Sequence, residues 1–341
     1  MDIWQKLKTE TKPILIYGTG NGADKLIDHL NAKSIKISGV FASDGFVRDR
    51  TFRGFKVLSL TKAKELFKDF IALISFGTGR TETLNYIKNL QKEITIFCAE
   101  VPVIGNEIFD LEFLNKYKKD LEYVYNNLYD EESKKTFYNI IMFKLTGELD
   151  YLFNCESDYK NDFKNILNLK QDSSYLDLGA YNGDTVLEFI KNVGGGGKIT
   201  AVESDAKTFK KLLDNIKDFN VDCINAAVLN KDGTVLFSSK GNRGSFVGEG
   251  EEIKAITIDS LFKNANYDFI KFDIEGQELN AIIGGKNTIT NNKPKMFVSC
   301  YHKNQDLFTI PKQILKYNAN YKILLRHYPA VPAWETAFYF I

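Results

Sequence analysis

Two α/β domains joined by a helical segment are the fold class that this 341-residue sequence predicts, and three observations carry the prediction. Short apolar runs alternate with helix-period segments at both ends of the chain, the pattern of parallel sheets with crossover helices. In each half the first apolar run breaks into a glycine turn that opens a helix, Gly18–Ala23 (GTGNGA) and Gly179–Thr185 (GAYNGDT). From Asn106 to Leu169 the pattern changes: apolar and aromatic residues recur at helical spacing, with no glycine until Gly147. The expected divisions are residues 1–105, 106–171 and 172–341, a length that two cores fill comfortably.

In the first domain, Ile14–Tyr17 reads as a strand, followed by a helix from Ala23. A second strand follows from Lys36, a third runs through Phe70–Arg80 into its own glycine turn, and Ile94–Phe97 makes a fourth. The middle segment reads as two or three helices that connect the domains or mediate homo-oligomerisation, its aromatic stripe being packing surface. The second domain opens with a strand at Tyr175–Leu178 and a helix at Thr185–Lys191, then a strand ending at Glu203. A hairpin is expected around Lys231-Asp232-Gly233. In all, seven strand-like runs are expected here, the last two (YKILLRHY and ETAFYFI) as an antiparallel pair at the end. Gly194–Gly197 reads as a flexible link.

Composition narrows the function. Lys and Arg total 45 against 44 acidic residues, for a net charge of +1 with no long basic run, so nucleic acid is not the expected partner. The four cysteines lie far apart, which argues against metal knuckles, redox pairs or a disulfide framework. The polar N-terminus has no signal core and no apolar stretch is long enough to span a bilayer, so a cytoplasmic protein is expected.

The strongest chemical signal is Asp177-Leu178-Gly179-Ala180-Tyr181-Asn182-Gly183-Asp184, placed where a strand turns into a helix. Gly179 and Gly183 permit a sharp turn and close ligand approach, and the N–H groups opening the helix at Thr185 face the ligand. Twenty residues beyond Gly183 the next strand ends in Glu203, where a carboxylate can accept both hydroxyls of an adenosine ribose. A third strand ends in Asn225-Ala226-Ala227.

At this point the chain resembles the FkbM family of S-adenosylmethionine-dependent methyltransferases. The matching stretches are DLGAYNGDT, AVESD, INAAV, ITIDSL, FIKFDIEGQE and SCYH, in that order, through essentially the whole second half. The resemblance implies a class I methyltransferase (Rossmann-like) seven-stranded sheet and S-adenosyl-L-methionine as cofactor. It implies O-methylation of small molecules, frequently sugars. The cofactor would be held by Asp177, Gly179, Gly183, Glu203 and Asn225, within a site that takes in Ala180, Tyr181, Asn182, Asp184, Thr185, Ser204, Ala226 and Asp273. Tyr181 departs from the family, which often has Asn there.

Asp273 and Glu275 stand two apart at the end of a strand, and His302 ends the following one, so all three are expected to meet near the methyl group. Two readings stay open. A sugar hydroxyl needs a base at hydrogen-bonding distance, and His302 has an ordinary pKa near neutrality. Alternatively, Asp273, Glu275 and His302 hold Mn²⁺ or Mg²⁺, which acidifies the hydroxyl. A third reading makes Asp273 and Glu275 caps for the helix near Gln277. Arg326 and His327 are expected to contact the acceptor or to form a surface pair.

For the first domain, the Gly18 turn with Asp44 after the next strand allows a nicotinamide cofactor. The domain also resembles the small Rossmann-like unit preceding some sugar-modifying acyltransferases. That resemblance implies a nucleotide or nucleotide-sugar phosphate at Gly18, Gly20 and Asn21 with Arg80 nearby, while a ligand-free assembly domain is the third reading. The expected enzyme methylates a hydroxyl of a sugar, such as a nucleotide-activated heptose. Four consecutive glycines at Gly194–Gly197 would fit a guanine tract of the sort that switches surface-glycan genes, a hint toward capsule synthesis. The rivals are an NAD(P)-dependent sugar oxidoreductase and a noncatalytic scaffold of a glycan-modifying complex.

Overall fold

The computed structural model describes residues 1–238, 246–248, 250–263 and 265–341. They form two compact units, Met1–Glu122 with Glu131–Ser157 and Arg326–Thr336, and Tyr123–Asp130 with Asp158–Leu325 and Ala337–Ile341.

The first unit is built on six strands: β1 (Ile14–Tyr17), β2 (Gly39–Ala42), β3 (Thr51–Phe52), β4 (Phe55–Ser59), β5 (Ile71–Ile74) and β6 (Thr95–Phe97), in the order β3-β4-β2-β1-β5-β6. All neighbours are parallel except the β3–β4 hairpin. That hairpin adds two strands to the four expected. It turns through Arg53 and Gly54, both at positive φ, within a charged, exposed stretch that carries little apolar alternation. Strands β1 and β5 are buried at every position, as a sheet covered on both faces requires, and Trp4, Leu26 and Leu30 pack in the same core.

Two helices longer than fifteen residues occupy the middle of the chain, Leu111–Asn127 and Glu131–Thr146, followed by short turns at Asp150–Phe153 and Tyr159–Asp162. In the first unit, Lys144 Nζ meets Glu100 Oε2 at 2.5 Å with both side chains buried.

The second unit contains β7 (Tyr175–Leu178), β8 (Ile199–Glu203), β9 (Val221–Asn225), β10 (Ala227–Val228), β11 (Gly233–Ser238), β12 (Phe246–Val247), β13 (Glu251–Ile256), β14 (Phe269–Phe272) and β15 (Lys295–Ser299). Strands β16 (Ile323–His327) and β17 (Thr336–Phe340) complete a seven-stranded sheet in the order β16-β17-β15-β14-β7-β8-β9. The last two runs, β16 and β17, are neighbours at one edge of the sheet as expected, with β17 between β15 and β16 and antiparallel to β15. The expected hairpin at Lys231–Gly233 is corrected. The turn leads from β10 to β11, but β13 lies between them in a separate four-stranded sheet, parallel to β10 and antiparallel to β11.

Gly194–Gly197 is not a loose link. A Cβ on Gly197 would lie 2.4 Å from the carbonyl oxygens of Asp172 and Ser173, and Gly196 N–H donates to the Gln171 carbonyl at 2.9 Å. The run is glycine where two backbones touch.

Candidate active site

The carboxyl ends of β7, β8, β9 and β14 are adjacent in the sheet. Beyond β7 the chain turns at Gly179, φ 83°, where a Cβ would stand 1.9 Å from the Asp273 carbonyl oxygen. Gly183, φ 89°, caps the helix Asp184–Val193. Tyr181 between them also adopts the left-handed region, φ 48°, an uncomfortable place for a tyrosine and an easier one for asparagine. The turn keeps its shape: Tyr181 N–H donates to Glu203 Oε2 at 3.0 Å, and the ring remains 39% exposed.

Glu203 ends β8 with its other oxygen accepting from Asp205 N–H at 2.7 Å. Burial pushes this carboxyl up to about 7, against the opposing pull of the Asp205 and Tyr181 N–H groups. Asn225 Nδ2 donates to the carbonyls of Glu203 and Ser204 at 2.7 and 3.1 Å, and Ala226 N–H donates to Glu203 O at 3.2 Å. Ala180 is fully buried, with its N–H on Val202 O. At the helix start, Thr185 N–H donates to Asp184 Oδ1 at 2.8 Å and Asp184 N–H to Asn182 Oδ1 at 3.4 Å.

Asp177 has no exposure at all. Its carboxylate takes the Thr185 hydroxyl and lies 3.3 Å from Lys271 Nζ, a residue in register with it on neighbouring β14. It therefore acts on the turn from beneath. Lys271 went unremarked in the sequence, although a lysine inside the apolar run FIKF is the signal for a buried partner.

Asp273, Glu275 and His302 do come together. His302 Nε2 lies 3.7 Å from Asp273 Oδ1 and 3.6 Å from Glu275 Oε2. The route is not strand alternation, because β14 stops at Phe272 and the chain turns through Glu275 at φ 50° and Gly276 at φ 82°. The helix Glu278–Gly284 has Gln277 at its N-cap with no side-chain cap bond, and Glu278 Oε1 accepts Ile274 N–H at 2.9 Å. Tyr301 OH donates to Asp273 Oδ1 at 3.0 Å. Burial raises the Asp273 pKa, but the charges of Lys271 and His302 outweigh it and hold the carboxyl below its ordinary value.

His302 is fully buried, which disfavours its charge, yet the carboxylates of Glu278, Asp273 and Glu275 prevail and raise it to about 9. An imidazole so placed is already protonated at neutral pH and has no lone pair for a substrate proton. Action of His302 as the base, like action as a metal ligand, calls for the neutral form that these carboxylates disfavour. Among the described residues, Asp273, Glu278 and His302 can place one donor atom each within 4.8 Å of one another.

Arg326 and His327, expected near an acceptor, are turned into protein. Arg326 is buried with Ser133 Oγ at 2.8 Å and Glu132 Oε2 at 3.3 Å. His327 Nδ1 lies 2.9 Å from Thr336 Oγ1, and burial lowers its pKa to about 3. In the first unit, Gly18 and Gly22 pack on Ser75 at the end of β5, whereas Gly20 opens to space before the helix Asn21–Ala32. Asp44 is occupied at the start of the helix Leu60–Phe67, accepting Thr61 N–H at 3.1 Å and its hydroxyl at 2.7 Å. The second glycine turn faces the chain itself: a Gly77 Cβ would strike the Trp334 ring at 2.0 Å, Thr78 bridges Val331, and Arg80 precedes the next helix.

A seven-stranded sheet with its last strand inserted antiparallel and glycine turns at its carboxyl edge is the class I methyltransferase fold. The family model described as the methyltransferase FkbM domain matches residues 177–323 of this chain. The structure of methyltransferase FkbM from Methylobacillus flagellatus KT is similar over 99% of this chain and 92% of that one, at 21% identity and a TM-score of 0.76. Aeropyrum pernix fibrillarin, with S-adenosyl-L-methionine natively bound, aligns over 51% of this chain and 67% of its own, at 15% identity and a TM-score of 0.34. Precorrin-6y C5,15-methyltransferase from Geobacter metallireducens GS-15 aligns over 53% and 85%, at 12% identity and a TM-score of 0.34. No curated protein is a significant match. Among the described residues, no helix is long and apolar enough to cross a membrane.

Proposed function

We propose that the protein is an S-adenosylmethionine-dependent O-methyltransferase acting on a sugar hydroxyl, with a nucleotide-activated sugar as the favoured form of the acceptor. The observation that carries this reading is the convergence of the Gly179–Gly183 turn and Glu203 at one sheet edge with Asp273, Glu275 and His302 beyond β14 and β15. Glu203 would accept the ribose hydroxyls in place of, or alongside, the Tyr181 and Asp205 N–H groups. Gly179 and Gly183 let the turn pack tightly against Asp273 and against Leu212 and Ile216, which sets the helix opening, and Asn225 holds the β8 end in place.

The sulfonium is a ready methyl donor, so the protein's work is to align the acceptor oxygen and take its proton. With His302 cationic, that proton falls to the carboxylates of Asp273 and Glu275. With His302 neutral instead, an imidazole nitrogen and two carboxylates at 3.6–3.7 Å are donor types that suit Mn²⁺ or Mg²⁺, although among the described residues the set with donors within 4.8 Å of one another is Asp273, Glu278 and His302. Such an ion would be held by Asp273, Glu275 and His302 and would supply Lewis acidity toward a bound hydroxyl. Within the first unit, taken by itself, the Gly18–Gly20 turn with Asn21 and Arg80 is a proposed nucleotide-phosphate site, supported by the open position at Gly20.

The test is transfer of labelled methyl from S-adenosylmethionine to a panel of nucleotide sugars, with and without Mn²⁺. Replacement His302→Ala should abolish most turnover and leave S-adenosylhomocysteine affinity nearly intact. Loss of that affinity in the variant would move His302 out of the acceptor side of the site.

A further inference from the structure

Glu278 has no role in the reading so far, yet it is the carboxylate nearest to His302. It opens the helix Glu278–Gly284 and has no solvent exposure. Oε1 accepts Ile274 N–H at 2.9 Å and stands 3.1 Å from His302 Nδ1, an ion-pair separation in which the ring N–H is not yet aligned on the carboxylate as a hydrogen bond. The His302 ring packs against Tyr301 at 4.2 Å between centroids, and the Tyr301 hydroxyl is bonded to Asp273, which restricts rotation of the imidazole. Behind Glu278 lies Asp306, 3% exposed, with Oδ2 accepting Lys303 N–H at 3.0 Å.

We propose that Glu278 is a positioning residue: it accepts the proton on His302 Nδ1, fixing the tautomer and ring plane, and so delivers Nε2 to the space between Asp273 and Glu275. A carboxylate on the far nitrogen is the arrangement that orients and strengthens a histidine whose near nitrogen does the chemistry. The role is the same whether Nε2 carries a proton or faces a cation, because Glu278 stands on the Nδ1 side of the ring in both cases. This inference rests on the assignment of His302 to the methyl-transfer site.

The test uses the full chain labelled with ¹⁵N-histidine. It has three histidines, His29, His302 and His327, so a His302→Gln sample identifies the signals. In the wild type, His302 should show a protonated, hydrogen-bonded Nδ1. Glu278→Gln should shift that signal or redistribute the proton toward Nε2, with S-adenosylhomocysteine affinity unchanged within about threefold by calorimetry. Glu278→Asp, which keeps the charge and shortens the reach, should give a smaller change and carries the test if the Gln variant does not fold. Unchanged His302 signals in a folded variant would overturn the proposal. So would a shift accompanied by loss of S-adenosylhomocysteine binding, the mark of a merely structural role. Absence of binding in the wild type would instead count against the methyltransferase cofactor itself.

Discussion

Glu203 shows how one buried carboxyl ties a ligand to pH. Its pKa near 7 stands above the ordinary 4.5, so its contribution to stability is present below about pH 4.5 and is lost as pH rises through 7. In the proposed contact the ribose hydroxyls would bind the ionised form, which reverses the sense for the ligand. Affinity for S-adenosylhomocysteine should therefore be about tenfold weaker at pH 6 than at pH 8, and Glu203→Gln should flatten that dependence. Calorimetry at the two pH values checks this, and a pH-independent wild type would contradict it. Lys271 gives a second residue-scale prediction. Lys271→Met strands the buried Asp177 carboxylate and should cost about 3–5 kcal/mol in denaturant unfolding, more than Lys271→Met combined with Asp177→Leu. The sequence made Asp177, Glu203, Asp273 and His302 legible because each ends or follows an apolar strand. It hid their partners: Glu278 and Lys271 are chosen by register and by a turn at Glu275, and no spacing rule reports those. The same surroundings bear on His302, whose three neighbouring carboxylates favour its protonated form.

At the scale of elements, backbone contact explains what residue patterns leave ambiguous. Gly179→Ala would place a methyl carbon 1.9 Å from the Asp273 carbonyl and force a left-handed φ on alanine. Binding of S-adenosylhomocysteine should be lost while the protein still melts cooperatively. A variant with normal affinity would show that the β7–β14 crossing tolerates the intrusion. Gly197→Ala, distant in role from the ligand, should lower Tm and leave affinity unaltered, because its neighbours are the carbonyls of Asp172 and Ser173. Strand identity in the large sheet was readable from buried apolar runs. Strand order at its edge was not, because insertion of β17 between β15 and β16 depends on long-range pairing. The polar β10–β13 sheet escaped in the same way: GTVLFS and EEIKAI are half exposed, and their pairing partner is fixed only when β13 folds between β10 and β11.

The whole molecule carries a net charge of +1 and two units with their own sheets. Near-neutral charge makes a ligand with local, specific contacts the natural partner, and salt should have little effect on its affinity. The methyltransferase fold of the second unit gives the account its central claim, that the Gly179–Gly183 turn and Glu203 hold S-adenosylmethionine. Calorimetric titration of the full chain with S-adenosylhomocysteine, on wild type and on Glu203→Ala, tests it most directly. Micromolar binding to the wild type and its loss in the variant are expected; a folded wild type that takes up no S-adenosylhomocysteine would show that the turn and Glu203 do not hold the cofactor.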